Sequence, residues 1–320
     1  MAISVTEPIS AALARTGRIL FKPFDVGKWF VLGFCAWLAY LGEGGGPHVN
    51  AQVPGGNFSG RPGQGPGEVL NGAREWCEAN APLVILLVAL VILAFLVLTA
   101  IGLVLTWVQS RGKFMFLDGI VRNRGAVVEP WRQFKTQGNS LFWFRIVLGL
   151  IGLGAFVLIV LVGLAIASPD ILAERFGVAA VIAIALSVIL FLCYIVFFGV
   201  IGLLLEDFVV PAMYLRNARV MAAWGLFRRE LLAGHVGTII LFYLMKIVLG
   251  MAIVIIAVMA TCITCCLAAL PYLGTVILLP LFVFGRCYTV CFIEQFGEPW
   301  RFFAPDAAAP AAASAGGPSG

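Results

Sequence analysis

Charged residues are scarce in this sequence: lysine, arginine, aspartate and glutamate together make up 12% of its 320 residues. Hydrophobic residues make up 62%, and the mean hydropathy is +1.03. A typical soluble domain is about 45–50% apolar and about 25% charged. No soluble core could bury this much apolar surface, so the composition excludes a soluble protein and indicates a polytopic membrane protein.

The sequence also lacks the motifs that mark common catalytic sites. It contains no His-Glu-x-x-His, no Gly-x-Ser-x-Gly and no Walker lysine after its glycine-rich stretch. Its two histidines, His48 and His235, are predicted on opposite sides of the membrane, which argues against a metal site. No cleavable signal peptide precedes the first apolar run. We therefore predict a protein that is not an enzyme and that binds no metal and no cofactor.

Eight cysteines are present, and most of them lie inside apolar runs. Cys262, Cys265 and Cys266 are grouped near the predicted outer end of one run, while Cys77 lies in a predicted outer loop. A disulfide between Cys77 and this group is one interpretation. The other is that these small, polarizable side chains fill contacts between helices.

Six apolar runs are candidates for membrane-crossing helices. A helix needs about 20 residues to cross about 30 Å of hydrocarbon. The runs cover residues 26–42, 82–108, 141–168, 178–205, 237–267 and 274–292. The first run is at the lower limit of this length, so a re-entrant hairpin is the alternative for it. We predict an all-α fold, a polytopic transmembrane bundle of about six helices.

The stretches outside these runs differ sharply in composition. Residues 43–80 are rich in glycine and proline, which predicts a flexible extracytoplasmic loop. Residues 299–320 are of low complexity and predict a disordered C-terminal tail. The rest of the chain, residues 1–298, is predicted to form a single transmembrane domain.

Basic residues are distributed unevenly between the two predicted sides of the membrane. Fifteen of the 21 lysines and arginines fall in residues 1–28, 111–139, 206–235 and the tail. Lysine and arginine favour cytoplasmic loops, so both termini are predicted to be cytoplasmic, in a bacterial cytoplasmic membrane. Clustering at the ends of apolar runs also explains the net charge of +5 without a nucleic-acid partner.

Two inner segments resemble each other and look like copies of one unit. Each has an Arg-Asn pair, a tryptophan with a phenylalanine three residues later, and a cation inside the following apolar run. The matching positions are Arg122-Asn123 with Arg216-Asn217, Trp131 and Phe134 with Trp224 and Phe227, and Arg145 with Lys246. With residues 6–22, these segments predict three cytoplasmic amphipathic elbow helices, whose four paired rings would be anchors in the head-group layer. The alternative is that these rings pack against neighbouring helices of the same protein.

Three cations are predicted inside membrane helices: Arg145, Lys246 and Arg286. A cation at mid-membrane costs at least about 2.5–3.5 kcal/mol, so each needs a partner, water or a route to the interface. The carboxylates at inner helix ends that are predicted to pair with them are Glu206, Asp207 and Glu294. The functional interpretation is a basic pocket that binds the phosphate of an anionic lipid. The alternative is structural pairing.

Three longer stretches carry a family resemblance: ALARTGRILFKPFDVGKW, RGKFMFLDGIVRNRGAVVEPW and EDFVVPAMYLRNARVMAAWGLF. On these stretches the chain resembles a group of uncharacterised bacterial multi-pass membrane proteins, similar to the membrane domain attached to some glycerophosphodiester phosphodiesterases. The resemblance covers most of residues 8–295 and implies a helical bundle with cytoplasmic elbows. It implies no phosphodiesterase activity, since this chain has no soluble phosphodiesterase domain, and it transfers no catalytic residues.

These observations lead to two hypotheses about function. The first is a non-enzymatic membrane protein whose basic cytoplasmic face engages anionic lipid, a membrane-protein partner or a second copy of the chain. The alternative is a transporter or permease subunit with an anion path near Lys246 and Arg286. A water-filled cavity at Lys246 would favour transport, whereas a carboxylate paired with Lys246 would favour a structural role.

Overall fold

The part of the chain that the structure describes is helical in all its regular elements. The structure is a computed structural model, and it describes residues 3–41, 78–172, 177–264 and 270–303. The helices are α1 (Glu7–Phe21), α2 (Val26–Ala39), α3 (Ala81–Val121), α4 (Val128–Gln133), α5 (Lys135–Leu172), α6 (Val178–Leu204), α7 (Val210–Arg216), α8 (Val220–Leu226), α9 (Val236–Ile263), α10 (Pro271–Ile277) and α11 (Leu279–Glu294). Two π-helical segments, Leu205–Val209 and Phe227–Leu232, continue α6 and α8.

Among the described residues, four helices are long and apolar enough to cross a membrane. These four rods are α3, α5, the continuous helix Val178–Arg216 that joins α6 to α7, and α9. The shortest of them, α9, has 28 residues and extends about 42 Å, which exceeds the hydrocarbon thickness of about 30 Å. In the most apolar 18-residue stretch of each rod, at most 11% is buried, so nearly all of this apolar surface faces outward. The predicted all-α membrane bundle is therefore confirmed.

The packed core lies at one end of the rods, in a region that we name the collar. The collar consists of α1, α2, residues 109–121 of α3, the two π-helical segments, α7, α8, the start of α9 and α11. Phe208, Phe242 and Phe292 are fully buried in it, and the ring centroids of Phe242 and Phe292 are 4.4 Å apart. Burial of such a side chain contributes about 1.5–3 kcal/mol, and most of the buried apolar side chains of the described residues lie in the collar.

The first apolar run forms a shorter helix than the four rods. α2 has 14 residues and extends about 21 Å. It packs against the collar part of α3, where a Cβ on Gly112 would lie 2.7 Å from the Leu38 carbonyl carbon and one on Gly119 would lie 2.5 Å from the Leu32 side chain. These glycines let α2 approach closely at this level of α3. Four of the six predicted crossings are thus helices of spanning length, and a crossing by residues 26–42 stays a prediction.

The last apolar run is divided into two helices. α10 ends at Ile277 and α11 begins at Leu279, with Leu278 between them. Pro280 lies in the first turn of α11, where its missing N–H removes no helical hydrogen bond. The sequence analysis placed Pro280 inside one helix over residues 274–292. The structure corrects this, because proline is accommodated more easily at a helix start than in a helix interior.

The two segments with matching sequences fold into matching turns. α3 and α7 end beside the two Arg-Asn pairs, and Asn123 and Asn217 have φ angles of 52° and 50°. Asparagine tolerates this left-handed conformation better than most residues do, which explains its presence at both helix ends. A short helix follows each turn, and a rod then leaves the collar. We name residues 122–135 the first elbow and residues 217–235 the second elbow.

The chain end is more ordered than the sequence predicted. Glu298–Trp300 forms a 3-10 turn, and Trp300, Phe302 and Phe303 are buried against the collar. Burial of these three rings extends the folded chain to residue 303, although the disordered tail was predicted to begin at residue 299. The predictions of disorder for residues 304–320 and of a flexible loop for residues 43–77 lie outside the described residues.

Candidate functional site

The innermost ion pairs of the collar meet at the π-helical segment Leu205–Val209. Lys113 Nζ lies 2.8 Å from Glu206 Oε2, and Arg286 Nη2 lies 3.3 Å from Glu206 Oε1. Arg286 Nη1 also donates a hydrogen bond to the Glu206 carbonyl oxygen at 3.0 Å. The side chains of Lys113 and Arg286 are 0% and 3% exposed. Glu206 thus connects α3 and α11 and neutralises part of the charge of two buried cations.

The neighbouring carboxylate, Asp207, contacts the third cation of this network. Lys246 Nζ donates a hydrogen bond to Asp207 Oδ1, so the contact joins the π-helical segment to α9. Single π-helical turns occur frequently at functional sites, and this one directs two successive carboxylates to different helices. Pairing of Lys246 with a carboxylate is the arrangement expected of a structural role.

Arg145 lies in a separate environment beside these ion pairs. Its Nη1 donates a hydrogen bond to Gln109 Oε1 at 2.8 Å. Arg145 and Glu206 line a cleft of about 420 Å³ between α3, α5 and α6. Lys246 lines a different, mostly apolar groove between α6 and α9. Arg145 and Lys246 therefore line two different clefts, and Arg286 reaches the first of them only through its contact with Glu206.

Glu294 lies apart from the other two predicted carboxylate partners. Its Oε1 accepts hydrogen bonds from the backbone N–H groups of Phe302 and Phe303, both at 2.9 Å. Its Oε2 lies 3.8 Å from Arg15 Nη2. Glu294 therefore fastens α1 and the C-terminal segment to the end of α11, and it does not contact Arg145, Lys246 or Arg286.

The four predicted interfacial rings all contact other parts of the protein. Phe134 and Phe227 are 4% and 1% exposed and belong to the collar core. Trp131 and Trp224 are half-buried against the same core. The aromatic side chains of both elbows thus pack on the collar core. The structure therefore corrects the two phenylalanines from lipid anchors to core residues.

Two basic residues of the collar lie in a helix that extends beyond the predicted apolar run. Arg111 and Lys113 were assigned to the cytoplasmic segment 111–139, but α3 continues through them to Val121. Both side chains are buried, at 7% and 0% exposure. The available signal was the absence of proline between residues 109 and 121, which allows an uninterrupted helix. Their charge nevertheless favoured a loop.

A second buried carboxylate, Asp118, organises the first elbow. Arg122 Nε lies 3.1 Å from Asp118 Oδ1, Arg124 Nη2 lies 3.1 Å from Oδ2, and the Tyr214 hydroxyl donates a hydrogen bond to Oδ1 at 3.1 Å. Arg124 also contacts Glu129 at 2.7 Å, and this hydrogen bond lowers the pKa of Glu129 below its usual value. The spacing of four residues between Asp118 and Arg122 was the sequence signal for this group.

Comparison with known proteins gives a family but no activity. The model of a family of unknown function, DUF7544, matches residues 3–296. The chain belongs to the DUF7544 family. No curated protein matches the sequence, and no solved structure matches it. The membership agrees with the uncharacterised family expected from the sequence, while similarity to a phosphodiesterase-linked membrane domain stays a prediction.

The exposed face of this DUF7544 protein carries a further candidate site at its two elbows. Five exposed cations of the elbows form no ion pair within the described residues: Arg132, Lys135, Arg219, Arg228 and Arg229. Two of them line a cleft of about 470 Å³ where the start of α5 meets the start of α8. The residues that line it are Lys135, Thr136, Asn139, Ser140, Trp143 and Arg219.

Cysteines give no sign of a metal centre in the DUF7544 chain. Among the residues that the structure describes, no group of three histidine, cysteine, aspartate or glutamate side chains could hold a metal ion. Cys77, Cys265 and Cys266 lie outside those residues. The alternative of an outer disulfide therefore stays a prediction.

Proposed function

We propose that this protein is a non-enzymatic, multi-pass membrane protein that engages anionic lipid through its basic elbows. The supporting architecture is a set of four apolar rods that leave one collar, with both elbows at the collar end. Each elbow directly precedes a rod, so its cations lie where a rod enters the apolar phase. Interfacial cations at such positions attract anionic head groups.

The observation that carries this proposal is a group of exposed elbow cations that have no carboxylate partner. Three buried or half-buried cations contact carboxylates: Lys113, Lys246 and Arg286. Five exposed cations on the elbows contact none within the described residues: Arg132, Lys135, Arg219, Arg228 and Arg229. Each basic residue near an anionic membrane surface contributes about 1 kcal/mol of attraction. The unpaired charge therefore lies where a lipid head group could supply its counter-charge.

An anion path through the collar is the weaker alternative. It would require Lys246 and Arg286 to meet the transported anion. Asp207 and Glu206 contact these two cations instead. An anion would have to displace a carboxylate and would leave that carboxylate buried and unpaired, which is costly. The pairing therefore favours a structural role for both cations.

The proposal places the elbows and both termini on the cytoplasmic side of a bacterial cytoplasmic membrane. It rests on the excess of lysine and arginine in the inner segments. Anionic lipids give the cytoplasmic leaflet its negative surface potential, which suits a basic face. Binding of a membrane-protein partner or a second copy of the chain at this face is the competing interpretation.

Lipid selectivity in reconstituted vesicles tests the proposal. The full chain is placed in phosphatidylcholine vesicles that contain trace spin-labelled phosphatidylglycerol or phosphatidylcholine, and the fraction of immobilised label is compared. The variant R132Q/K135Q/R219Q removes three elbow charges. The matched control R61Q/R74Q/R175Q removes three charges from segments predicted on the opposite side.

The wild-type protein is expected to prefer phosphatidylglycerol by about fivefold or more, because about 1 kcal/mol from one charge corresponds to that ratio. The elbow variant should lose most of this preference, and the control should keep it. Equal selectivity in all three proteins would contradict the proposal and leave binding of a protein partner as the explanation of the basic face.

A further inference from the structure

The cleft between α5 and α8 has the composition of an anion site. It encloses about 470 Å³, and its lining contains two cations, three polar uncharged side chains and one tryptophan, without an acidic residue. Its two walls are held together, because the backbone N–H of Val220 donates a hydrogen bond to Ser140 Oγ at 3.1 Å. Lys135 lies on one wall and Arg219, the residue before α8, lies on the other.

A buried arginine directly behind the cleft strengthens this assignment. Arg111 is 7% exposed, and its guanidinium carbon lies 4.3 Å from the ring centroid of Trp107 and 4.9 Å from that of Trp131. It forms no ion pair within the described residues, and its Nε has no hydrogen-bond partner. A buried cation that lacks a carboxylate is costly. An anion held in the cleft would reduce that cost.

Asn139 connects the buried arginine to the cleft. Its Oδ1 accepts hydrogen bonds from Arg111 Nη2 at 3.0 Å and from Trp107 Nε1 at 3.3 Å. Since both donors meet the amide oxygen, the amide nitrogen of Asn139 is left as a donor for a ligand. The Thr136 hydroxyl and the two cations add further donors around the same space. Several donors and no carboxylate suit phosphate oxygens.

An apolar track continues from the cleft along α5. Trp143 is 64% exposed and lies about 12 Å along the helix from Lys135. Val147 and Leu150 follow at spacings of four and three residues and are 50% and 64% exposed, so the three side chains form one outward face. Tryptophan is favoured at the boundary between head groups and acyl chains. The track therefore suits a phosphate that carries an acyl chain better than a free phosphate.

We propose that this cleft binds the phosphate group of one anionic phospholipid. Lys135 and Arg219 contact the phosphate, Thr136 and Asn139 donate hydrogen bonds to it, and Trp143 lies against the glycerol and upper acyl chain. Arg111 acts through Asn139 and adds charge without contacting the lipid. This inference rests on the proposed lipid engagement and makes it specific, with one site for one lipid on each chain.

Native mass spectrometry of the full chain, purified in detergent and stripped of lipid, tests the site. The protein is titrated with phosphatidylglycerol, with phosphatidylcholine and with glycerol 3-phosphate. The variant K135Q/R219Q removes both cations of the cleft. The control R132Q/R228Q removes two exposed elbow cations that do not line it. Both variants change the net charge equally, and their unfolding temperatures verify that they remain folded.

The wild-type protein should bind one phosphatidylglycerol in preference to phosphatidylcholine. The loss of two charge-assisted contacts in K135Q/R219Q should weaken this binding about tenfold more than R132Q/R228Q does, because Arg132 and Arg228 attract lipid only through the general charge of the elbows. In the otherwise wild-type chain, Trp143→Ala should weaken the binding of phosphatidylglycerol and leave the binding of glycerol 3-phosphate unchanged.

Two outcomes would overturn the site in different ways. Equal losses of phosphatidylglycerol binding in the two double variants would show that no discrete cleft site exists. The spin-label experiment in vesicles would then still test the general lipid selectivity of the elbows. Glycerol 3-phosphate that binds as tightly as phosphatidylglycerol, with no effect of Trp143→Ala, would assign the phosphate to a soluble ester and refute the lipid assignment.

Discussion

Glu206 is the residue on which the charge balance of the collar depends most. It contacts Lys113 and Arg286, whose side chains have almost no access to solvent. A buried pair adds little net stability over an apolar pair, but loss of one partner leaves an uncompensated charge. Here one carboxylate serves two cations from different helices, so its loss would affect both α3 and α11.

Glu206→Gln is expected to destabilise the protein by about 3–5 kcal/mol, the usual cost of removing one partner from a buried ion pair. The measurement is denaturant or thermal unfolding of the detergent-solubilised protein. The control is Glu298→Gln, which removes a carboxylate that is 81% exposed and pairs only with Arg301 at the surface. This control should change stability by less than about 1 kcal/mol. Similar unfolding midpoints for the two variants would argue that the buried pairs are dispensable.

Lys246 gives a second prediction at the scale of one residue. Lys246→Ala leaves Asp207 buried without its cation, so we expect lower stability. We expect the Lys246→Ala variant to prefer phosphatidylglycerol over phosphatidylcholine as strongly as the wild-type protein does, because Lys246 does not line the cleft between α5 and α8. The same spin-label measurement provides the check, with K135Q/R219Q as the positive comparison. If Lys246→Ala loses the preference for phosphatidylglycerol, the lipid site includes Lys246 and lies among the membrane helices.

Contact between α2 and α3 sets the geometry of the collar at the scale of elements. A Cβ on Gly112 would lie 2.7 Å from the Leu38 carbonyl carbon and 2.8 Å from the Ala39 nitrogen. These are backbone atoms, which cannot move without shifting α2. In the exposed part of the same helix, a Cβ on Gly102 would meet no atom within 4 Å.

Gly112→Ala should therefore destabilise the protein by about 1–3 kcal/mol through overpacking. Gly102→Ala is the matched control and should be neutral or stabilising by up to about 1 kcal/mol, because alanine favours helix more than glycine does. Thermal unfolding of both variants in the same detergent gives the comparison. If Gly112→Ala is as stable as Gly102→Ala, the close approach of the two helices is not required for folding.

At the scale of the whole molecule, hydropathy was sufficient to predict the four rods but not the collar. Lys113 and Glu206 lie on different helices and 93 positions apart in the chain, and no local pattern shows that they meet. A lysine in a sequence window counts as polar whether or not a distant carboxylate neutralises it, so residues 109–121 resembled a loop. The cleft between α5 and α8 depends in the same way on contact between two helices that are distant in sequence. The basic character of its segments could be predicted, but the meeting of Lys135 and Arg219 could not.

The path of residues 26–42 decides the topology of the whole chain and gives the last prediction. α2 extends about 21 Å, less than the hydrocarbon thickness of about 30 Å, yet the charge distribution favours a crossing. A variant that keeps only Cys77 should react with a membrane-impermeant maleimide in intact cells, because six crossings place residues 43–80 outside. A cysteine-free variant carrying Arg132→Cys should react only after the cells are permeabilised.

The opposite labelling pattern would contradict the predicted orientation of α3, and it is the result expected if residues 26–42 return to the side from which they enter. Residues 43–80 would then be cytoplasmic, and α3 would carry the first elbow to the outer surface. The anionic surface of the cytoplasmic leaflet would be out of reach of Lys135 and Arg219. The labelling experiment therefore tests the orientation that the proposed lipid site requires, independently of any lipid measurement.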